Sequence, residues 1–411
     1  MVTESGVTVT VPYDAPVRRG YVFLGLVTLI AAALAAAPAG AGPSDDEPAD
    51  ALTPVVMSVR PAPVAFPGSD GATHLVYELA MTNYSSADVT VDSVEVLDAS
   101  DDTVLETLEA DDIADRLQPA GSRAGDATMT PAETADLFVH VVLAADARIP
   151  RRLVHNIAVV AEAAPPGQQD ITEEGGAVRV RQRALPELAP PLRGERYVAA
   201  DGCCDATRHT RAILPVNGQV WVAQRYAIDY EQVDEQGLIY SGDPAAVESY
   251  PVYGDEALAV ADATVVHIID DLPEQVPGAL PESIPLTEAD GNSVILDLGG
   301  GFFGLYAHFQ PGSLRVEVGD EVEVGDVLGL VGNSGNSSAP HLHFHVMSTA
   351  SPLASNGLPY TVDEFTVTGQ SSTEAFDAAE TTGIPLDIEP VDPPTDHRAE
   401  MPLDQNVITF P

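Results

Sequence analysis

Lysine is missing altogether. All 18 basic residues among the 411 are arginine, against 63 acidic ones, and the formal net charge is -45. An excess of one sign this large excludes nucleic acid as a partner, because its phosphates would be repelled. Anionic polymers would be repelled too, so a substrate embedded in one has to be met locally. Cysteine is almost missing: Cys203 and Cys204 are the only two, and they are adjacent. A disulfide framework is therefore excluded. A bridge between neighbours closes almost no loop and adds little stability. Two readings stay open for the pair: structural (buried thiols or a vicinal bridge), or metal ligands. Long apolar runs are also scarce. Tyr21 to Ala37 is one, and it is short for a comfortable membrane span.

Apolar material is not lacking. Hydrophobic residues make up 45% of the chain, enough for packed cores, and its length suggests two domains with tails. Arg18 and Arg19 precede the apolar run, and the small residues of Ala37 to Gly42 follow it. This order predicts a secretory signal over residues 1–42, or a single-helix membrane anchor through residues 20–37. Both place the rest of the chain outside the cytoplasm, secreted or held at the cell envelope, because arginines stay inside.

The pattern after it predicts an all-β protein. Residues 43–53 read as a linker. Residues 54–183 hold short alternating segments, such as His74 to Met81, Val89 to Leu97 and Leu137 to Leu143. β-branched residues at period two, with turns between, predict an immunoglobulin-like β-sandwich. His74, His140 and His155 read as ordinary strand residues within it. Prolines mark residues 184–197 as a second linker. Residues 198–368 read as an antiparallel β-sheet domain, with a hairpin turning at Asn217-Gly218 and a four-proline insertion loop from Leu272 to Leu286. The tail, residues 369–411, is acidic and proline-rich. Little regular structure is expected there, beyond a final edge strand at Asn406 to Phe410.

The chemistry concentrates in Gly332 to His345, where a turn-rich loop runs into Pro340-His341-Leu342-His343-Phe344-His345. Alternate strand residues share a face, so three histidines point one way and Leu342 and Phe344 the other. Neutral imidazoles grouped on a rigid face suit a metal ion or proton transfer. Upstream lie Tyr306-Ala307-His308 and two Gly-Asp turns, Gly319-Asp320 and Gly325-Asp326.

Together these motifs, from about Arg211 to Met347, resemble the lysostaphin-like (LytM-type) metallopeptidases. The resemblance implies one zinc ion and hydrolysis of peptide crosslinks in peptidoglycan, or of another extracellular peptide. It implies that His343 binds the zinc and that His308 and His341 do acid/base work. The remaining ligands of that family are a histidine and, four residues later, an aspartate. Asp229 matches the aspartate, but Arg225 stands in the histidine's place, and a guanidinium cannot bind a cation. Counting back from the Asn217-Gly218 turn puts His209 opposite Tyr226, within reach of the vacated position. His209, Asp229 and His343 are therefore the expected zinc ligands. Cys203 or Cys204 is the alternative third ligand, and a site without metal, in a domain that binds wall or activates other hydrolases, is the alternative function. Tyr306 reads as packing, His345 as a supporting or exposed residue, and His267 as a strand residue of the core sheet.

Overall fold

A computed structural model describes residues 51–411 apart from positions 206 and 282. The signal or anchor expected over residues 1–42 lies outside the described residues. Among the described ones, no helix is long and apolar enough to cross a membrane.

The N-terminal part is built from two five-stranded antiparallel sheets. One runs in the order Val55–Arg60, Thr73–Asn83, Thr134–Leu143, Leu117–Pro119. The other runs Asp170–Arg179, Arg152–Ala161, Val89–Asp98, Thr103–Leu108. Leu75, Tyr77, Leu79 and Met81 of the first meet Val94, Val96, Ile157 and Val159 of the second in one core. Each fully buried side chain of this size stabilises the fold by about 1.5–3 kcal/mol before entropy is charged against it. A bulge between Val91 and Ser93 explains an oddity of the pattern. Buried valines fall on odd numbers up to Val91 and on even numbers from Val94, because one extra residue shifts the alternation.

Strand Thr73–Asn83 is buried on both faces. Its second face does not meet water but the following part of the chain: Val76 and Phe66 belong to the same apolar cluster as Tyr226, Phe344 and Tyr360. Tyr226 Oη donates to the Val76 carbonyl at 3.4 Å.

That following part is an eleven-stranded sheet. Its centre runs Asn292–Asp297, Phe303–Phe309, Leu342–Met347, Ile228–Gln232, Gly194–Ala200, Asn406–Phe410, Phe365–Gln370. The hairpin at Asn217-Gly218 forms as its turn sequence requires, with positive φ at both residues and Ile213 paired to Val222.

Two segments expected to be irregular are ordered. Within the stretch read as a linker, Glu187–Leu188 pairs with Thr361–Val362, and Leu188 and Leu192 are buried. In the tail, Ser372 caps the helix Thr373–Thr382 by accepting from the Ala375 amide, and Gly383 closes it in the left-handed conformation. Asn406–Phe410 is a strand, but an interior one with partners on both sides, not an edge. Val407 packs into one layer, and Ile408 and Phe410 into the other.

Candidate active site

Three adjacent strands place the histidines and the aspartate. Asp229 lies opposite His343 across one strand pair, and His343 lies opposite Ala307 across the next. Leu342, Phe344 and Val346 point into the main core, so His343 and His345 point into the opposite layer, as the alternation requires.

His308 breaks that alternation. Ala307 already occupies the face of His343, so a regular strand would turn His308 away. Its φ of +67° puts it in the left-handed region instead. The ring then joins the cleft, with its centroid 4.7 Å from His341 and 5.8 Å from His343. A non-glycine residue held there stores of order 1–3 kcal/mol, which the surroundings must offset. Two backbone carbonyls do so: Asp290 accepts from the His308 amide at 3.1 Å and Ser334 accepts from its Nδ1 at 2.7 Å.

His209 reaches the cleft by a route other than the expected strand. The hairpin pairing stops at Ile213, and His209 sits on the helical turn Thr207–Thr210. Its Nε2 lies 3.3 Å from Asp229 Oδ2. Asp229 Oδ1 lies 2.7 Å from His343 Nδ1 and 3.4 Å from His341 Nε2. One ligand-type atom from each of His209, Asp229 and His343 falls within 4.8 Å of the others. The same holds for His308, His341 and His343.

Backbone carbonyls fix three of the ring tautomers. Asp201 O accepts from His209 Nδ1 at 2.9 Å, Ala339 O from His341 Nδ1 at 2.8 Å, and Ser334 O from His308 Nδ1. A carbonyl only accepts, so Nδ1 carries a proton in each ring and Nε2 is the nitrogen turned toward the cleft.

The electrostatics follow from burial and from Asp229. Burial disfavours charge on His209, yet the adjacent Asp229 carboxylate overrides it and pushes the imidazole up to about 9. Burial acts against Asp229 as well, but His209, His341 and His343 hold its carboxyl well below the usual range. Burial, with neighbouring histidines, holds His308 well below the usual imidazole value.

Other expectations resolve as follows. Arg225 does not face the cleft; it is 3% exposed and paired with Glu78 of the N-terminal part. Cys203 and Cys204 are joined to each other by a vicinal disulfide and take no place in the cleft. Tyr306 is core packing, its Oη accepting from the Val260 amide at 2.9 Å. His267 is a residue of strand Ala263–Ile269. His345 is not exposed: it is fully buried, with Nδ1 2.9 Å from His343 Nε2 and its own Nε2 unpartnered.

The cleft has a volume of about 420 Å³, and residues from distant segments also line it. Arg123 comes from the loop between Leu117–Pro119 and Thr128–Met129, Leu280 from the proline-rich loop and Glu380 from the C-terminal helix. No local signal marks them. Glu231 also lines it and was missed in the sequence, although its place two residues beyond Asp229 on the same strand face was a signal.

The class this defines is an antiparallel β-sheet protein with a histidine-and-aspartate cleft. Residues 249–355 match the model of peptidase family M23. Endolysin 2638A of Staphylococcus phage 2638A is 32% identical over 138 residues, which is 29% of this chain and 28% of the endolysin. The matched part thus spans little more than a quarter of that relative. Among solved structures, the catalytic domain of lysostaphin from Staphylococcus simulans is 20% identical, with 40% of this chain and 88% of that one covered and a TM-score of 0.22. The catalytic domain of prophage-encoded M23 protein EnpA from Enterococcus faecalis is 16% identical, with 42% and 92% covered and a TM-score of 0.24. A zinc-containing peptidase from Vibrio cholerae is 14% identical, with 66% and 77% covered and a TM-score of 0.21.

Proposed function

We propose that this chain is an exported zinc-dependent endopeptidase that hydrolyses peptide bonds of the kind that crosslink peptidoglycan. The observation that carries the reading is the approach of His209 Nε2 to Asp229, which supplies a histidine where Arg225 has removed one. His209, Asp229 and His343 would hold the ion. Two imidazole nitrogens and one carboxylate oxygen suit zinc and leave a coordination position open, as in catalytic sites. Bound there, zinc supplies Lewis-acid polarisation of a carbonyl and a more acidic water.

The rest of the chemistry belongs to the chain. His341 and His308 each keep a proton on Nδ1 and turn Nε2 into the cleft. Nε2 is therefore the nitrogen that accepts a proton from the attacking water and returns one to the leaving amine. Burial keeps His308 neutral, the form in which it is a base. The carbonyls of Ser334 and Ala339 orient both rings before substrate arrives. Asp229 also offsets positive charge that builds on His341 during transfer.

The test is zinc content and hydrolysis of wall-derived peptides by the full chain beside His209→Ala. About one zinc in the parent, lost together with hydrolysis in the variant, is the expected result. A folded parent that binds no zinc would overturn it in favour of a non-enzymatic wall-binding role.

A further inference from the structure

We propose a second metal site, apart from the cleft, in which His74 Nδ1, His140 Nε2 and, once the Cys203–Cys204 bridge is reduced, Cys204 Sγ take up an ion that favours thiolate and imidazole ligands, such as zinc or copper(I). One ligand-type atom from each of these residues already lies within 4.8 Å of the others. His74 and His140 stand on paired strands, Thr73–Asn83 and Thr134–Leu143. Cys204 comes from the loop between Gly194–Ala200 and the helical turn that carries His209.

The proton count points to a cation. Asp70 Oδ1 lies 3.0 Å from His74 Nε2, and Asp205 Oδ2 lies 2.9 Å from His140 Nδ1. Carboxylates accept, so each outer ring nitrogen carries the proton. The inner nitrogens, His74 Nδ1 and His140 Nε2, then face each other at 2.9 Å as two lone pairs. Two lone pairs at that distance repel unless something positive lies between them. A shared proton is one candidate, and the Asp70 and Asp205 carboxylates on the outer nitrogens would offset its charge or that of a metal ion. A metal ion satisfies both nitrogens at once. An imidazole whose outer N–H is held by a carboxylate is the usual form of a metal-binding histidine. Arg116 Nη1 holds the other oxygen of Asp205 at 2.7 Å, so that outer support is itself fixed.

The sulfur makes the site redox-dependent. In the bridge, Cys204 Sγ is a weak donor and two good ligands remain. A two-electron reductant such as a phosphine splits the S–S bond, takes up the oxygen of one water and leaves two thiols. The Cys204 thiol then releases its proton as the ion binds, giving a third and stronger ligand. The site forms in the reduced protein and is weakened on oxidation.

Cobalt(II) reports it without interference from the cleft, because Cys203 and Cys204 are the only cysteines of the chain. The full chain is titrated with cobalt(II) before and after phosphine reduction. A sulfur-to-cobalt charge-transfer band appearing only after reduction, with affinity raised at least tenfold, is the expected result. His140→Ala and Cys204→Ser should each abolish the band. His140 is the safer position to alter, since its side chain is 14% exposed and not in the core. Reduced, folded parent without the band would overturn the proposal, and so would a band that survives in His140→Ala.

Discussion

Arg225 and Glu78 stand 147 residues apart in sequence and form a buried ion pair, with Nε donating to Oε1 at 2.9 Å. The pair crosses from the N-terminal sheets to the turn that leads into the strand of Asp229. An arginine at this position is therefore not a spoiled ligand but one half of a joint. Removing one partner leaves an uncompensated charge in the interior. Glu78→Ala and Arg225→Ala should each lower stability by about 3–5 kcal/mol, read from urea midpoints. Replacing both with methionine should recover most of that loss. Two single variants within experimental error of the parent would show that the pair is not desolvated.

Restoring the family histidine should not restore the metal. In a His209→Ala background, Arg225→His leaves a side chain set beside Glu78, away from the cleft. Zinc content should remain near zero in the double variant. Recovery to about one ion per chain would mean that position 225 can swing toward Asp229.

The two acid/base candidates differ from the ligands in what their loss should do. His341→Ala and His308→Ala should lower turnover by about 10²–10⁴-fold while zinc stays bound. Metal analysis beside peptide hydrolysis separates the roles, and unchanged turnover in either variant would remove that residue from the reaction.

How much of this was legible in sequence depends on range. The His341-Leu342-His343 strand and the Asn217-Gly218 hairpin follow from local periodicity and turn chemistry, and the nearness of His209 to Asp229 was expected from counting back along that hairpin. The hairpin register was right as far as Ile213 and Val222, but the chain then turns helical, so His209 reaches Asp229 from a helical turn. Nothing local could reveal that. Glu78 behind Arg225, Arg123 and Glu380 in the cleft, and the His74–His140 contact arise from pairings between segments far apart in the chain. The tail misled because Glu389–His397 is almost wholly exposed and polar, and only its pairing with Phe365–Gln370 makes it a strand.

Glu173 offers a test by pH. Its Oε1 accepts from the Val55 amide at 3.1 Å, its Oε2 has no partner, and burial pushes the carboxyl up to about 7. In the unfolded chain the group ionises near 4.5. A raised carboxyl leaves stability intact below 4.5 and drains it as pH climbs through about 7. Glu173→Gln keeps the acceptor and removes the ionisation. It should match the parent at acidic pH and exceed it by roughly 1–3 kcal/mol under mildly alkaline conditions. Equal stability of the two chains at both ends of that range would show that water reaches the carboxylate.

The strand Asn406–Phe410 fills a gap between Gly194–Ala200 and Phe365–Gln370, in the same sheet that carries Asp229 and His343. Every residue of the cleft is synthesised before it. During synthesis, the half-built sheet waits with a bare edge until this segment arrives. Without residues 406–410, Gly194–Ala200 and Phe365–Gln370 would each lose one of their two partner strands.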